Sequence, residues 1–152
     1  MTEIVIRPYE EQDWARIEEI HDAARKLELE AAGLTAAFVP LKQAAVDEGL
    51  FDYTVCVAQA GDRVEGFVAY SEGEIAWLYV SPESMRRGVG RSLVLYAIEN
   101  ITKRPVELEV LTGNNAAVHF YEAMGFVTTE FATGKMPGNE TFRVTVHCMQ
   151  RG

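Results

Sequence analysis

Basic residues are scarce in this chain: 14 Lys and Arg stand against 23 Asp and Glu, a formal charge of −9 at neutral pH. Nucleic-acid binding draws most of its affinity from cations set against phosphate, so this balance argues against such a partner. The same acidity suits a cationic substrate such as an amine, or serves solubility alone. The two cysteines and three histidines are scattered without ligand spacing, so no metal is expected. Cys56 and Cys148 fall in strand-like runs, where a free thiol acts as a small buried hydrophobe. No apolar run approaches the ~20 residues that cross a bilayer, and Met1–Arg7 has no apolar signal segment. A cytoplasmic protein with no membrane attachment is the expectation. Repeats, low-complexity tracts and linkers are also missing, and 152 residues suit a single domain over 1–152.

What is there is an alternation of strand and helix signals. Ile4, Val5 and Ile6 begin a short strand that ends near Pro8. From Asp13, residues Trp14, Ile17, Ile20, Ala24 and Leu27 recur at helical spacing, with Gly33 closing the pattern. A shorter helix is expected over Leu41–Asp47. Three strand-like runs follow at hairpin spacing: Tyr53–Ala60, Arg63–Ser71 and Glu74–Val80, divided by Gly61-Asp62 and Glu72-Gly73. A helix starts near Gly88 and runs to Ile101, then a strand over Val106–Leu111 and a helix closed by Gly125. Strands near Phe126–Thr133 and Thr141–Met149 flank a Gly-Pro loop at Gly134–Asn139. The order β-α-α-β-β-β-α-β-α-β-β predicts a mixed α/β layer.

The chemistry concentrates between Glu74 and Ile101. An apolar strand, Ser81-Pro82, a basic turn with Gly88 and Gly90, and then a helix would aim backbone N–H groups at a phosphate. A dinucleotide fingerprint needs a third glycine where Leu93 stands, and no Gly-Lys-Ser/Thr run makes a Walker loop. The segment Met85-Arg86-Arg87-Gly88-Val89-Gly90 instead resembles the pyrophosphate loop of the GCN5-related N-acetyltransferases, with methionine in place of the usual Gln or Arg. A second stretch, Asn114-Asn115-Ala116-Ala117-Val118-His119-Phe120-Tyr121-Glu122-Ala123-Met124-Gly125-Phe126, closely resembles another signature of that family. The two motifs stand a helix and a strand apart, as the family places them.

The resemblance implies an acyl-CoA N-acyltransferase fold: a mixed, mostly antiparallel central sheet of about seven strands with helices on both faces. It implies acetyl-CoA as co-substrate, held along Leu78, Tyr79 and Val80, with the pantetheine amides paired to Leu78 and Val80. The diphosphate would meet Arg86, Arg87, Gly88, Val89, Gly90, Arg91 and Ser92. Methionine at 85 costs a side-chain hydrogen bond of order 1 kcal/mol, since main-chain donors are unaffected. Tyr121 would protonate the departing thiolate, or else is an ordinary core aromatic. Asn114 would hold the cofactor arm beside Ala117 or cap the helix, two compatible roles. The base would be Glu74, fourteen residues before Gly88, or Glu109, five before Asn114, acting directly or through water. His119 is expected to face outward.

The acceptor implied is an amine on a small molecule or peptide. Glu28, Glu30, Asp47, Glu48 and Asp52 either line an acidic acceptor groove or form a solvated face. A homodimer through the last strands is the assembly the family suggests. Two other readings remain: a module that binds acyl-CoA without turnover, and a transferase for a bulkier acyl group.

Overall fold

The computed structural model describes residues 3–136 and 139–152. Among them the strands are β1 (Ile4–Pro8), β2 (Thr54–Ala60), β3 (Arg63–Ser71), β4 (Glu74–Val80), β5 (Val106–Leu111), β6 (Val127–Met136) and β7 (Asn139–Arg151). The α-helices are α1 (Trp14–Ala31), α2 (Leu41–Asp47), α3 (Val89–Asn100) and α4 (Asn115–Ala123). The strands form one sheet, in the order β1-β2-β3-β4-β5-β7-β6. Every pairing is antiparallel except β4 with β5. This is the expected mixed sheet with helices on both faces.

The two faces have separate cores. On one, α3 sets Val89, Leu93, Val94 and Ala97 against Cys56, Val68 and Ile75, and α4 adds Val118, Tyr121 and Met124 over Leu108 and Met149. On the other, Ile17 and Ile20 of α1 and Leu41 and Ala44 of α2 cover Val57, Phe67, Ala69 and Trp77. Residues 67 to 69 of β3 are buried throughout because both faces of that strand are roofed by helices. Burying a side chain such as Ile17 or Phe67 contributes roughly 1.5–3 kcal/mol.

Helix α1 runs a turn past Leu27 and closes at Gly33, where the Leu34 N–H bonds the Leu29 carbonyl at 2.7 Å. The terminal hairpin is longer than its hydrophobic pattern suggests, reaching Met136 on one side and Arg151 on the other. Gly134 therefore lies inside β6, paired with Val144, rather than opening a loop. Of the expected Gly134–Asn139 loop, Pro137 and Gly138 lie outside the described residues. Cys56 is buried as expected, whereas Cys148 is only half-buried. It sits between Glu109 and Glu130 in the register of the sheet.

Candidate active site

The parallel neighbours β4 and β5 meet at one rung. Glu74 is the register partner of Glu107, whose N–H donates to the Gly73 carbonyl at 2.8 Å. Beyond that rung the strands part, and Leu78, Tyr79 and Val80 stay half-buried at the edge of the gap. Their backbone direction follows from β3. Ser81 N–H bonds the Glu65 carbonyl at 2.8 Å, and Tyr79 pairs with Phe67. Bonded positions alternate along an antiparallel ladder. Ser81 and Tyr79 therefore bond toward β3, while Leu78 and Val80 turn their amides into the gap.

At the open end of the gap, a short helical turn over Pro82–Ser84 leads into the exposed residues Met85, Arg86, Arg87 and Gly88. Arg86 takes a left-handed conformation, φ 67°, and Gly88 does so at φ 85° as N-cap of α3. The first helical bond is Ser92 N–H to the Gly88 carbonyl, at 3.0 Å. The N–H groups of Val89, Gly90 and Arg91 precede it and face outward along the helix axis. Arg91 is exposed, and Ser92 and Gly90 are half-buried. A Cβ on Gly90 would stand 3.4 Å from Phe120 and 3.5 Å from Val80, so α3, α4 and β4 converge there.

Helix α4 brings Tyr121 to the same gap. Asn114 caps the helix by accepting the Ala117 N–H at 3.4 Å, with Asn114 buried and Ala117 half-buried. At the other end, Gly125 (φ 93°) lets the chain reverse: Phe126 N–H and Gly125 N–H bond the Tyr121 and Glu122 carbonyls, each at 3.0 Å. That pair of bonds fixes the Tyr121 backbone. Its ring packs edge-on to Phe120 and Phe126, with centroids 5.0 and 5.7 Å away. Burial, then the nearby Glu28 carboxylate, push the Tyr121 phenol far up, so it keeps its proton well above neutral pH. His119, one residue earlier, is exposed.

Facing Tyr121 across the gap is α1. His21, Arg25 and Glu28 fall at i, i+4 and i+7 and so share one side of the helix. The His21 ring stands edge-on to Tyr79 at 4.7 Å. Arg25 Nη1 donates to Glu28 Oε1 at 2.6 Å. Burial works against the Arg25 charge, but Tyr79, Glu28 and Glu48 outweigh it and strengthen it. Glu48, just past α2, has its carboxyl pushed up by burial, against the pull of Arg25. By surface area Glu48 is exposed. Tyr79 is likewise accessible while burial raises its phenol.

The loop residues, β4 and Tyr121 thus converge. The two expected bases lie on β4 and β5 themselves. Glu74 is exposed at the closed end of the gap, where Tyr53 Oη lies 3.4 Å from its carboxylate. Glu109 is exposed on β5, opposite Cys148. The carboxylate whose charge raises the Tyr121 phenol is Glu28. Arg25 was missed from sequence, because on an amphipathic pattern it belongs to the solvent side of α1. The i, i+4, i+7 run of polar residues on one side was the available signal. Among the described residues no group of His, Cys, Asp and Glu could hold a metal ion, and no helix is long and apolar enough to cross a membrane.

Comparison with known proteins places the same stretch. Residues 51–128 match the model of the acetyltransferase (GNAT) domain, about half of the chain. Peptidyl-lysine N-acetyltransferase YiaC of Escherichia coli is 40% identical over 66 residues, 42% of this chain and 43% of that protein. The [ribosomal protein bS18]-alanine N-acetyltransferase of Salmonella typhimurium is 36% identical over 74 residues, 44% of this chain and 50% of that protein. The chain thus matches about half the length of these curated relatives. A crystal structure of a GCN5-related N-acetyltransferase from Rhodopseudomonas palustris shares the fold at a TM-score of 0.74 and 23% identity, covering 100% of this chain and 98% of that one. The fold agrees over the whole length and the sequence over the segment that builds the gap and its glycine loop: the chain belongs to the GNAT acetyltransferase family.

Proposed function

We propose that the protein transfers an acetyl group from acetyl-CoA directly to a primary amine. The observation that carries this reading is the gap between β4 and β5. On one wall it has two backbone positions that turn away from β3, and the buried Tyr121, whose phenol burial keeps from ionising, packs in the same core as Leu78 and Val80. Acetyl-CoA supplies an activated thioester. The amides of Leu78 and Val80 pair with its pantetheine arm as a strand would. Arg86 to Ser92 offer main-chain donors and three guanidinium groups to the diphosphate. Asn114 and Ala117 border the arm from α4. Methionine at 85 leaves those main-chain donors intact.

Tyr121 donates its proton to the sulfur as the thioester breaks. The ammonium of the acceptor loses its proton to Glu74 or Glu109, directly or through water. Glu28 and Glu48 outnumber Arg25 on the α1 side of the cleft, which favours a cationic acceptor, a small amine or a peptide. A cytoplasmic setting suits that chemistry, as does pairing of two copies through β6 and β7.

Replacing Tyr121 with Phe removes only the phenolic oxygen. We expect kcat to fall about 10²-fold or more with an unchanged KM for acetyl-CoA. A kcat within about twofold of the parent would remove Tyr121 from the acid role. Calorimetry with acetyl-CoA, joined to thiol release across an amine panel, tests the whole reading. Binding with no release on any amine would instead mark a module that holds acyl-CoA without turning it over.

A further inference from the structure

The phosphate-facing loop has two ends, and one pair of residues on β3 holds both. Glu65 takes the beginning. Its carbonyl accepts the Ser81 N–H at 2.8 Å, and its carboxylate accepts the Ser84 hydroxyl. Ser81, Ser84 and Glu65 are 2%, 1% and 8% exposed, so this contact is sealed from water. Gly66, the next residue, takes the end. A Cβ there would lie 3.0 Å from Val89 Cγ1, Leu93 Cδ1 and the Tyr79 carbonyl oxygen. The first turn of α3 is therefore seated on bare backbone. Between these anchors run the exposed residues Met85 to Gly88.

The Glu65 carboxylate is also held by α1 and by its own strand. Arg16 of α1 donates from Nη2 to Oε1 at 2.6 Å and from Nε to the Val64 carbonyl at 2.8 Å. Arg63 stands 3.6 Å from the same Oε1 and reaches Glu83 at 4.0 Å. Burial pushes the Glu65 carboxyl up, but the bonds from Ser84 and Arg16 and the charges of Arg16 and Arg63 outweigh it and keep it ionised. A buried carboxylate with both oxygens committed is a rigid post.

We infer that Glu65 is a positioning residue for the CoA diphosphate: it touches no part of the cofactor, and it latches the Ser81–Ser84 turn so that the loop beyond presents its N–H groups in one arrangement. Without the latch, the free loop would sample many arrangements. Binding would have to order it each time, and the cost would appear as lost affinity. The inference rests on the reading of Arg86 to Ser92 as the diphosphate site.

The test uses Glu65→Gln, which keeps the shape and loses the charge, and Ser84→Ala, which removes the loop side of the latch alone. Two readouts are taken: the Kd of CoA by calorimetry and amide hydrogen exchange along the chain. We expect both variants to bind CoA about tenfold more weakly than the parent, with exchange quickened from Ser81 to Gly90 and unchanged in β2, β5 and β7. General destabilisation would instead quicken exchange throughout. Should Glu65→Gln fail to fold, Ser84→Ala decides alone. CoA affinity within twofold of the parent, or exchange unchanged at Ser81–Gly90, overturns the latch. A parent that does not bind CoA overturns the diphosphate reading, and the exchange profile still decides whether Glu65 orders the loop.

Discussion

Arg86 is the one non-glycine residue with positive φ among those described, at 67°. The left-handed conformation brings Cβ against the following carbonyl and costs roughly 1–2 kcal/mol in an L-residue, part of which glycine would return as unfolded-state entropy. Arg86→Gly is therefore expected to stabilise the fold by on the order of 0.5–1 kcal/mol, and to weaken CoA binding several-fold through the lost guanidinium. Thermal unfolding and calorimetry read the two effects separately, and movement in the same direction would refute the assignment. The arginines were visible in sequence; the strain at one of them was not, since φ is set by how the turn is anchored at both ends. Glu28 shows the same limit. As a charge on α1 it read either as part of an acidic groove or as part of a solvated face, and only the packing of α1 brings its charge to bear on Tyr121.

Among elements, the helices were the most legible. Asn114 and Gly125 bracket α4 because capping is local chemistry: the side chain and the φ that it requires belong to the residue itself. The terminal hairpin was less so, since Gly134 carries the signal of a turn but is absorbed into β6 by its partner Val144. The splay of β4 from β5 has no local signature at all, since it depends on which strands the chain brings together. The junction of β1 and α1 offers a test at this scale. Asp13, 5% exposed, receives Arg7 at 2.8 and 2.9 Å and the Glu10 N–H at 2.8 Å. The Arg7 hydrogen bonds, against the cost of burial, hold its carboxyl below the usual range. A depressed folded pKa stabilises the protein above the unfolded value near 3.9 and loses that contribution as pH falls through the folded value. Asp13→Asn should thus cost about 2–4 kcal/mol at neutral pH and flatten the acid limb of the stability curve. Urea titrations at pH 3 to 7 would measure both, and an unaltered acid limb would clear Asp13.

On the scale of the molecule, the single rung between β4 and β5 bears on how the proposed transferase would meet its own product. The sheet forgoes a ladder there, and under the proposed function the strand-like grip of Leu78 and Val80 would fall on the pantetheine arm, away from the acyl carbon. Contacts of that kind are the same before and after transfer. They lower the concentration of acetyl-CoA needed without accelerating the chemical step, and they leave free CoA held almost as firmly. Free CoA should accordingly compete with acetyl-CoA, with an inhibition constant within about tenfold of the KM for acetyl-CoA. Initial-rate measurements with both present would show it, and a non-competitive pattern would contradict it. Under the proposed function, an open seam in the sheet would thereby make the rate of acetylation follow the ratio of charged to spent carrier, so that the fold itself would report the acetyl supply around it.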